Sequence, residues 1–324
     1  MKKKYVKEIK PGETVDDVFL LAEKQLAQKK DGNKYLNVTL ADKTGRIKGV
    51  IWNNVEQILS ETANSDFVNI RAAVNEYQGK LQLVIKKMTA TKVKPDAMSD
   101  FLPSTKRDVE RMFEHLVDLT LKMKQEHLKM LLASFWNDAD FVAKFKSAPA
   151  AKKMHHAYLG GLLEHTLSMA LLAGKIGGHY KGINQELLLT GVILHDIGKV
   201  DEFEYKTKID YSDEGRLLNH IVIGVQMVTE KIKEVLDFPE DQALLLKHLI
   251  ISHHGIREFG SPEPPKTIEA VLLNFIDEID SRVQSIRDFM EGEDPNAKWT
   301  SYHRLLERHF FRGNSFSDVT TENN

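Results

Sequence analysis

The chain contains no cysteine. That absence excludes disulfides, thiolate metal sites and iron–sulfur clusters, so any bound metal must be held by nitrogen and oxygen. No apolar run approaches the ~20 residues needed to cross a bilayer. The first residues, MKKKYVKEIKPGE, are basic but lack the apolar stretch of a secretory signal. These features fit the cytoplasm and give no reason to expect a membrane partner. Proline is sparse, and two of the few, Pro95 and Pro103, fall in one short stretch without strong periodicity, KPDAMSDFLPS. No internal repeat or low-complexity tract is present.

The 324 residues are 42% hydrophobic and 28% charged, enough for about two ordinary globular domains. The net charge of −2 hides an asymmetry. Residues 1–95 hold 18 Lys+Arg against 11 Asp+Glu, and the remainder 27 against 36. A basic first third suits a polyanionic partner. Nine of the 13 histidines lie between His155 and His254.

The basic third reads as β structure. In NKYLNVTLADKTGRIKGVIW, Leu36, Val38 and Leu40 alternate with Tyr35, Asn37 and Thr39, the period of a half-buried strand. Asp42-Lys43-Thr44-Gly45 supplies a turn. Gly49 suggests a bulge or sharp coil in the next strand. FVNIRAAVNEYQGKLQLVIKKMTATKV reads as two strands around Gln78-Gly79. The long strand with its Asp-x-x-Gly turn resembles an OB-fold domain of the nucleic-acid-binding kind. That resemblance implies stacking by Tyr35, Trp52 and Tyr77, with filling or capping of the barrel as the alternative for each. Lys80, Lys86, Lys87, Lys92 and Lys94 would track phosphates, or else guard a strand edge.

After the proline-bearing stretch, Val109, Met112, Phe113, Leu116 and Val117 recur at helical spacing, and helical patterns continue to about Phe311. The expected fold is therefore multidomain, a small all-β barrel followed by an all-α helical bundle. Its divisions are a barrel over 1–95, a linker over 96–105, a bundle over 106–312 and a disordered polar tail over 313–324.

Within the bundle, polar residues interrupt apolar helices. GVILHDIGKV sets His195 and Asp196 near a helix end, with Gly198 as a terminator and Lys199 on a similar face. His165 breaks YLGGLLEHTLSMALL, His220 breaks GRLLNHIVIGV, and His253 and His254 end KHLIISHHG. Asp277 lies in AVLLNFIDEIDSRV, with Asp280 one turn later. One such histidine is ordinarily a hydrogen-bonded core residue. Several on successive helices, with carboxylates among them, point to a shared metal cluster that would satisfy them all.

The order His…His-Asp…His…His…Asp over residues 106–312 resembles the HD-domain metal-dependent phosphohydrolases. By that resemblance His165, His195, Asp196 and Asp277 would hold one divalent ion, and Asp196 would bridge to a second held by His220 and His253. His254 would stand behind, Asp280 would make a salt bridge, and His155 and His156 would contact substrate or merely start a helix. The barrel followed by HHAYLGGLLEHT, HDIGK and HHGIREFGSPEPPKTIEA resembles the YhaM family of 3′-to-5′ exoribonucleases. The family implies hydrolysis of single-stranded RNA, and often DNA, to nucleoside 5′-monophosphates. It also implies two divalent ions, Mn2+ first, with Co2+, Fe2+, Ni2+ and Zn2+ as alternatives. Asp196 and Lys199 would be the catalytic pair, Lys199 neutralising a phosphate oxygen.

Two other functions stay open at this stage. One is a phosphohydrolase or phosphodiesterase acting on a small nucleotide, which would leave the basic barrel without a task. The other is a non-catalytic single-strand-binding protein, which the full set of polar interruptions disfavours. The aromatic and basic segment WTSYHRLLERHFFRG suits packing on the core, contact with another subunit of a homo-oligomer, or contact with substrate.

Overall fold

The computed structural model describes residues 2–29, 32–77, 79–152, 156–205, 208–304 and 306–313. Gln78, His155 and the tail from residue 314 lie outside them, and with them the expectations placed there. The chain divides into two compact units, Met1–Lys106 with Glu204–Asp210, and Arg107–Phe203 with Tyr211–Asn324.

The first unit is built on five strands and one helix: β1 Thr14–Gln28, β2 Lys34–Asp42, β3 Gly45–Ile51, α1 Val55–Glu61, β4 Phe67–Tyr77 and β5 Lys80–Thr91. They close into a barrel in the order β1-β2-β3-β5-β4. β1 is long enough to pair with β4 along Thr14–Leu20 and with β2 along Leu20–Gln28. The register slips between Leu21 and Glu23, where the strand changes partner. Such a slip adds the local twist that closure needs. Leu36, Val38 and Leu40 are buried with Phe19, Ile70 and Leu83, as the alternation predicts. Gly49 makes no bulge. Its pairing with Val38 and Leu83 is unbroken, and a Cβ there would stand 2.7 Å from Ile85 Cδ1. The glycine makes room for Ile85 inside the barrel and does not bulge the strand. The second register slip lies elsewhere, between Arg71 and Ala72.

The stretch expected as a linker is partly structured. Pro95–Asp100 forms a 3-10 turn, and the buried Phe101 ring packs edge-on to Phe67 at 5.0 Å. Tyr5 donates to Asp100 at 2.5 Å, and Lys43 pairs with the same carboxylate. Phe101 thus finds a place on the barrel that the prolines around it concealed.

The second unit is mostly helical: α2 Val109–Leu121, α3 Glu126–Trp136, α4 Ala139–Ser147, α5 Gly161–His179, α6 Gln185–Leu194, α7 Lys199–Glu202, α8 Asp213–Lys233, α9 Glu240–Ser252 and α10 Ile268–Glu291. Two short strands, β6 Phe203–Glu204 and β7 Asp210–Tyr211, pair between α7 and α8. Helix α5 is buried along most of its length and packs against α2, α4, α6 and α10. Among the described residues no helix is long and apolar enough to cross a membrane.

Candidate metal centre

Five elements bring the polar interruptions together. His165 projects from α5 between the buried Leu163 and Leu167. Helix α6 is apolar on all sides and ends in His195, which caps it, and Asp196 follows in the turn to α7. Gly198 in that turn was expected as a terminator, yet its backbone is ordinary right-handed, with φ −61°. Its role is close approach: a Cβ would lie 2.1 Å from the carbonyl oxygen of His220 and 2.7 Å from Gly224 N. That space lets α8 press against the His-Asp turn. Asn219 breaks α8 at φ 67° and ψ 152°, a conformation that costs a non-glycine residue energy. Its Oδ1 accepts from Ile221 N at 3.1 Å, which restarts the helix and aims His220 inward. His253 caps α9, and its carbonyl accepts from Asn274 Nδ2 of α10 at 2.7 Å. Asp277 and Asp280 stand one turn apart on α10.

Asp196 is the centre of the arrangement. Its Oδ2 lies 3.2 Å from His195 Nε2, 3.8 Å from His165 Nε2 and 2.6 Å from Lys199 Nζ. Its Oδ1 lies 3.5 Å from His220 Nε2 and 3.7 Å from His253 Nε2. Asp277 Oδ1 is 3.3 Å from His165 Nε2. The side chains therefore sort into two trios flanking one carboxylate. His165, His195 and Asp277 have ligand atoms within 4.8 Å of one another, as do His220, His253 and His254. His254, expected behind its neighbour, stands in the second trio beside it.

Four of the imidazoles are held from behind. His195 Nδ1 donates to Val192 O at 2.7 Å and His253 Nδ1 to Ile250 O at 2.6 Å. A carbonyl only accepts, so these two rings carry a proton on Nδ1 and turn Nε2 forward. Glu202 Oε1 holds His220 through both Nδ1, at 3.0 Å, and the backbone N–H, at 3.1 Å. Asp280 Oδ2 holds His165 Nδ1 at 2.8 Å and His156 Nε2 at 3.2 Å, and Ser168 donates to its other oxygen. Asp280 thus makes its salt bridge to imidazoles. His156 stands behind His165, outside both trios.

The front of the cluster has the opposite character. His195 Nε2, His220 Nε2, His253 Nε2, His254 Nδ1 and Asp196 Oδ1 are buried and form no hydrogen bond among the described residues. Burial and the neighbouring His254 hold His253 well below the usual imidazole range, and burial with His220 lowers His254. Burial opposes ionisation of Asp196, but Lys199 and His195 outweigh it and hold the carboxyl well below its usual range. Asp277 is lowered in the same way by His165. Burial would lower His165, yet its hydrogen bonds to Asp277 and Asp280 push it up to about 9. Lys199 stays cationic because Asp196 overcomes the effect of burial. Lone pairs and carboxylate oxygens facing one another in a buried site would repel, and a divalent cation satisfies them. Imidazole and carboxylate donors suit Mn2+, Fe2+, Co2+, Ni2+ or Zn2+, so the residues present fit divalent ions of this kind.

On the barrel, Tyr35 and Trp52 pack ring to ring at 5.0 Å, and Lys29 sits 4.3 Å over the Trp52 ring. Trp52 is 42% exposed and Tyr77 61% exposed, so neither fills the core. Lys80, Lys86, Lys87, Lys92 and Lys94 are exposed. The parallel pairing of β3 with β5 also sets Arg46 and Lys48 beside Lys80 around a depression of about 510 Å³. Arg46 and Lys48 went unremarked in the sequence. Their spacing in GRIKGVI, outward at alternate positions, carried the signal.

A family profile described as an HD domain matches residues 162–282, one described as an OB-fold nucleic acid binding domain matches residues 22–90, and one described as a putative helicase matches residues 94–181. The 3′-5′ exoribonuclease YhaM of Bacillus velezensis is 33% identical over 304 residues, covering 93% of this chain and 95% of that protein. The protein of the same name from a Geobacillus species is 32% identical, covering 93% of this chain and 92% of its own. That of Bacillus subtilis is 31% identical, covering 93% and 95%. Identity at this level across nearly the whole chain, joined to the closed barrel and the histidine–aspartate cluster, makes the chain a member of the YhaM family of 3′-5′ exoribonucleases.

Proposed function

We propose that the protein shortens single-stranded RNA, and single-stranded DNA, from the 3′ end, releasing nucleoside 5′-monophosphates with the help of two divalent ions, Mn2+ foremost. One observation carries this reading: Asp196 turns one oxygen toward each of two ligand trios. Bound there, a pair of ions activates water and neutralises charge on a phosphodiester. His165, His195, Asp196 and Asp277 would hold one ion, and Asp196, His220, His253 and His254 the other.

The chain's own groups prepare the site for that chemistry. Val192, Ile250, Glu202 and Asp280 fix the rings with Nε2 forward. Lys199 brings a positive charge to the edge of the cluster, where it can meet a non-bridging phosphate oxygen once Asp196 is engaged. Buried Leu163, Leu194 and Ile250 keep bulk water from the rear. Water adds to the terminal phosphorus, the bond to the preceding nucleotide's 3′-oxygen breaks, and that oxygen departs as a hydroxyl. His156 acts from behind, through Asp280 on His165.

The barrel favours a polymer over a free nucleotide as substrate. Trp52, Tyr35 and Tyr77 offer stacking faces, and Arg46, Lys48, Lys80, Lys86 and Lys87 offer phosphate contacts. The same reading places the enzyme in the cytoplasm with its RNA. The test uses 5′-labelled single-stranded RNA. The wild-type chain with Mn2+ should give a ladder shortening from the 3′ end, with mononucleotide product. Chelation, or Asp196→Asn with metal present, should stop it by at least about a thousandfold. Full activity of Asp196→Asn, or turnover confined to free nucleotides, would overturn the proposal.

A further inference from the structure

A cleft of about 930 Å³ opens directly from the candidate metal centre. Asp277 and His254 form its inner end. One face of α10 forms its floor, in steps of three or four residues: Asp277, Ser281, Ser285 and Asp288. At 1.5 Å per residue this floor runs roughly 16 Å away from Asp277. The outer end is closed by His303 and Leu306, with the His303 ring packed edge-on to Phe289 at 4.5 Å. The segment around His303, whose role the sequence left open, therefore builds a wall of this cleft.

Two features of the lining decide what fits. Phe259, in a 3-10 turn at Arg257–Phe259, is 67% exposed, and Phe275 on α10 is 55% exposed. Large rings so open beside a polar floor suit the flat face of a base. Beyond the metal centre the charges are mainly acidic, Glu278 and Asp288, and the one guanidinium in the lining, Arg282, is paired with Glu278. A wall of serine hydroxyls and carboxylates accepts from sugar hydroxyls and repels phosphate.

We propose that this cleft receives the 3′-terminal nucleoside of the substrate, with the scissile phosphate at the metal centre, Phe259 and Phe275 against the base, and the acidic floor facing a free 3′-hydroxyl. The proposal rests on the exonuclease reading and adds to it the recognition of the chain end. It makes the enzyme selective for 3′-hydroxyl termini, because within one nucleoside's reach of Asp277 the lining offers a terminal 3′-phosphate Ser281 and Glu278, while the guanidinium of Arg282 is already paired with Glu278. Phe259 and Phe275 are positioning residues.

The experiment pairs 5′-labelled RNA ending in a 3′-hydroxyl or a 3′-phosphate with bis(4-nitrophenyl) phosphate, a small diester that needs the metal centre and has no 3′ end to recognise. Wild-type enzyme should remove the first nucleotide from the hydroxyl end at least about a hundredfold faster than from the phosphate end. The double variant Phe259→Ala/Phe275→Ala should raise KM for RNA by about ten- to hundredfold and leave the affinity for Mn2+, measured by calorimetric titration, at the wild-type value. Equal rates on the two termini, or an unchanged KM in the variant, would overturn this inference alone. A wild-type chain that hydrolyses the diester but degrades no RNA from the 3′ end would overturn the exonuclease reading and this inference together.

Discussion

Glu202 shows how far the cluster depends on residues that touch no ion. It is buried and accepts from both the ring and the backbone of His220. A carboxylate behind an imidazole raises the basicity of the forward nitrogen and fixes its orientation, and losing such a partner typically costs 10–100-fold in metal affinity. Glu202→Ala should therefore weaken one of two ions by about that factor and leave the other, held on the His165 side, little changed. Glu202→Gln keeps an acceptor and should recover part of the loss. Calorimetric titration with Mn2+ resolves the two sites, and two wild-type affinities in Glu202→Ala would refute the assignment. The residues that converge here were readable in the sequence because each of His165, His195, Asp196, His220, His253 and Asp277 breaks an apolar pattern that gives it no other excuse. Glu202 was not, because in KVDEFEY it is one acid among several and its partner lies 18 residues away. Asp280 was visible as a neighbour of Asp277, but its grip on His165 and His156 exists only once α10 has packed on α5.

At the scale of elements, side-chain periodicity told more than glycine did. Alternation in β2 placed Leu36, Val38 and Leu40 correctly in the barrel core. Gly49 was read as a bulge or sharp coil and Gly198 as a stop; the strand has no bulge at Gly49, and both glycines are close approaches. A single sequence shows that a Cβ is absent but not which neighbour fills the space. The break in α8 at Asn219 is likewise silent, since nothing in RLLNHIVIG forbids a continuous helix. The pairing of β3 with β5 has a functional consequence, because it gathers Arg46, Lys48 and Lys80. Each phosphate neutralised on a single strand contributes about −0.7 to the slope of log affinity against log salt. Replacing all three by alanine should weaken oligonucleotide binding at every sequence tested and make that slope shallower by about 2. Fluorescence anisotropy over a salt series measures it. An unchanged slope would show that the barrel's basic face meets no backbone.

For the whole molecule, the chemistry is unevenly divided: among the described residues, the candidate ligand clusters lie in the helical unit. An ion that binds only the folded state stabilises what it is bound to, by about 2.7 kcal/mol for one site at a hundred times its Kd. In a domain of 150–250 residues that is roughly 5–10 °C in Tm. Differential scanning calorimetry of the full chain should show two transitions, with Mn2+ raising one by about that amount per ion and chelator lowering it again. Gly49→Ala identifies the other, because a Cβ against Ile85 strains only the barrel. Asp196→Ala should abolish the ion-dependent shift while leaving the Gly49-sensitive transition in place, since the partners of Asp196 are the two trios. If the barrel transition followed the ion instead, a ligand set confined to α5, α8, α9, α10 and the α6–α7 turn would be the wrong one. The pairing of Asp196 with two separate trios would then be a feature of packing and not of metal binding.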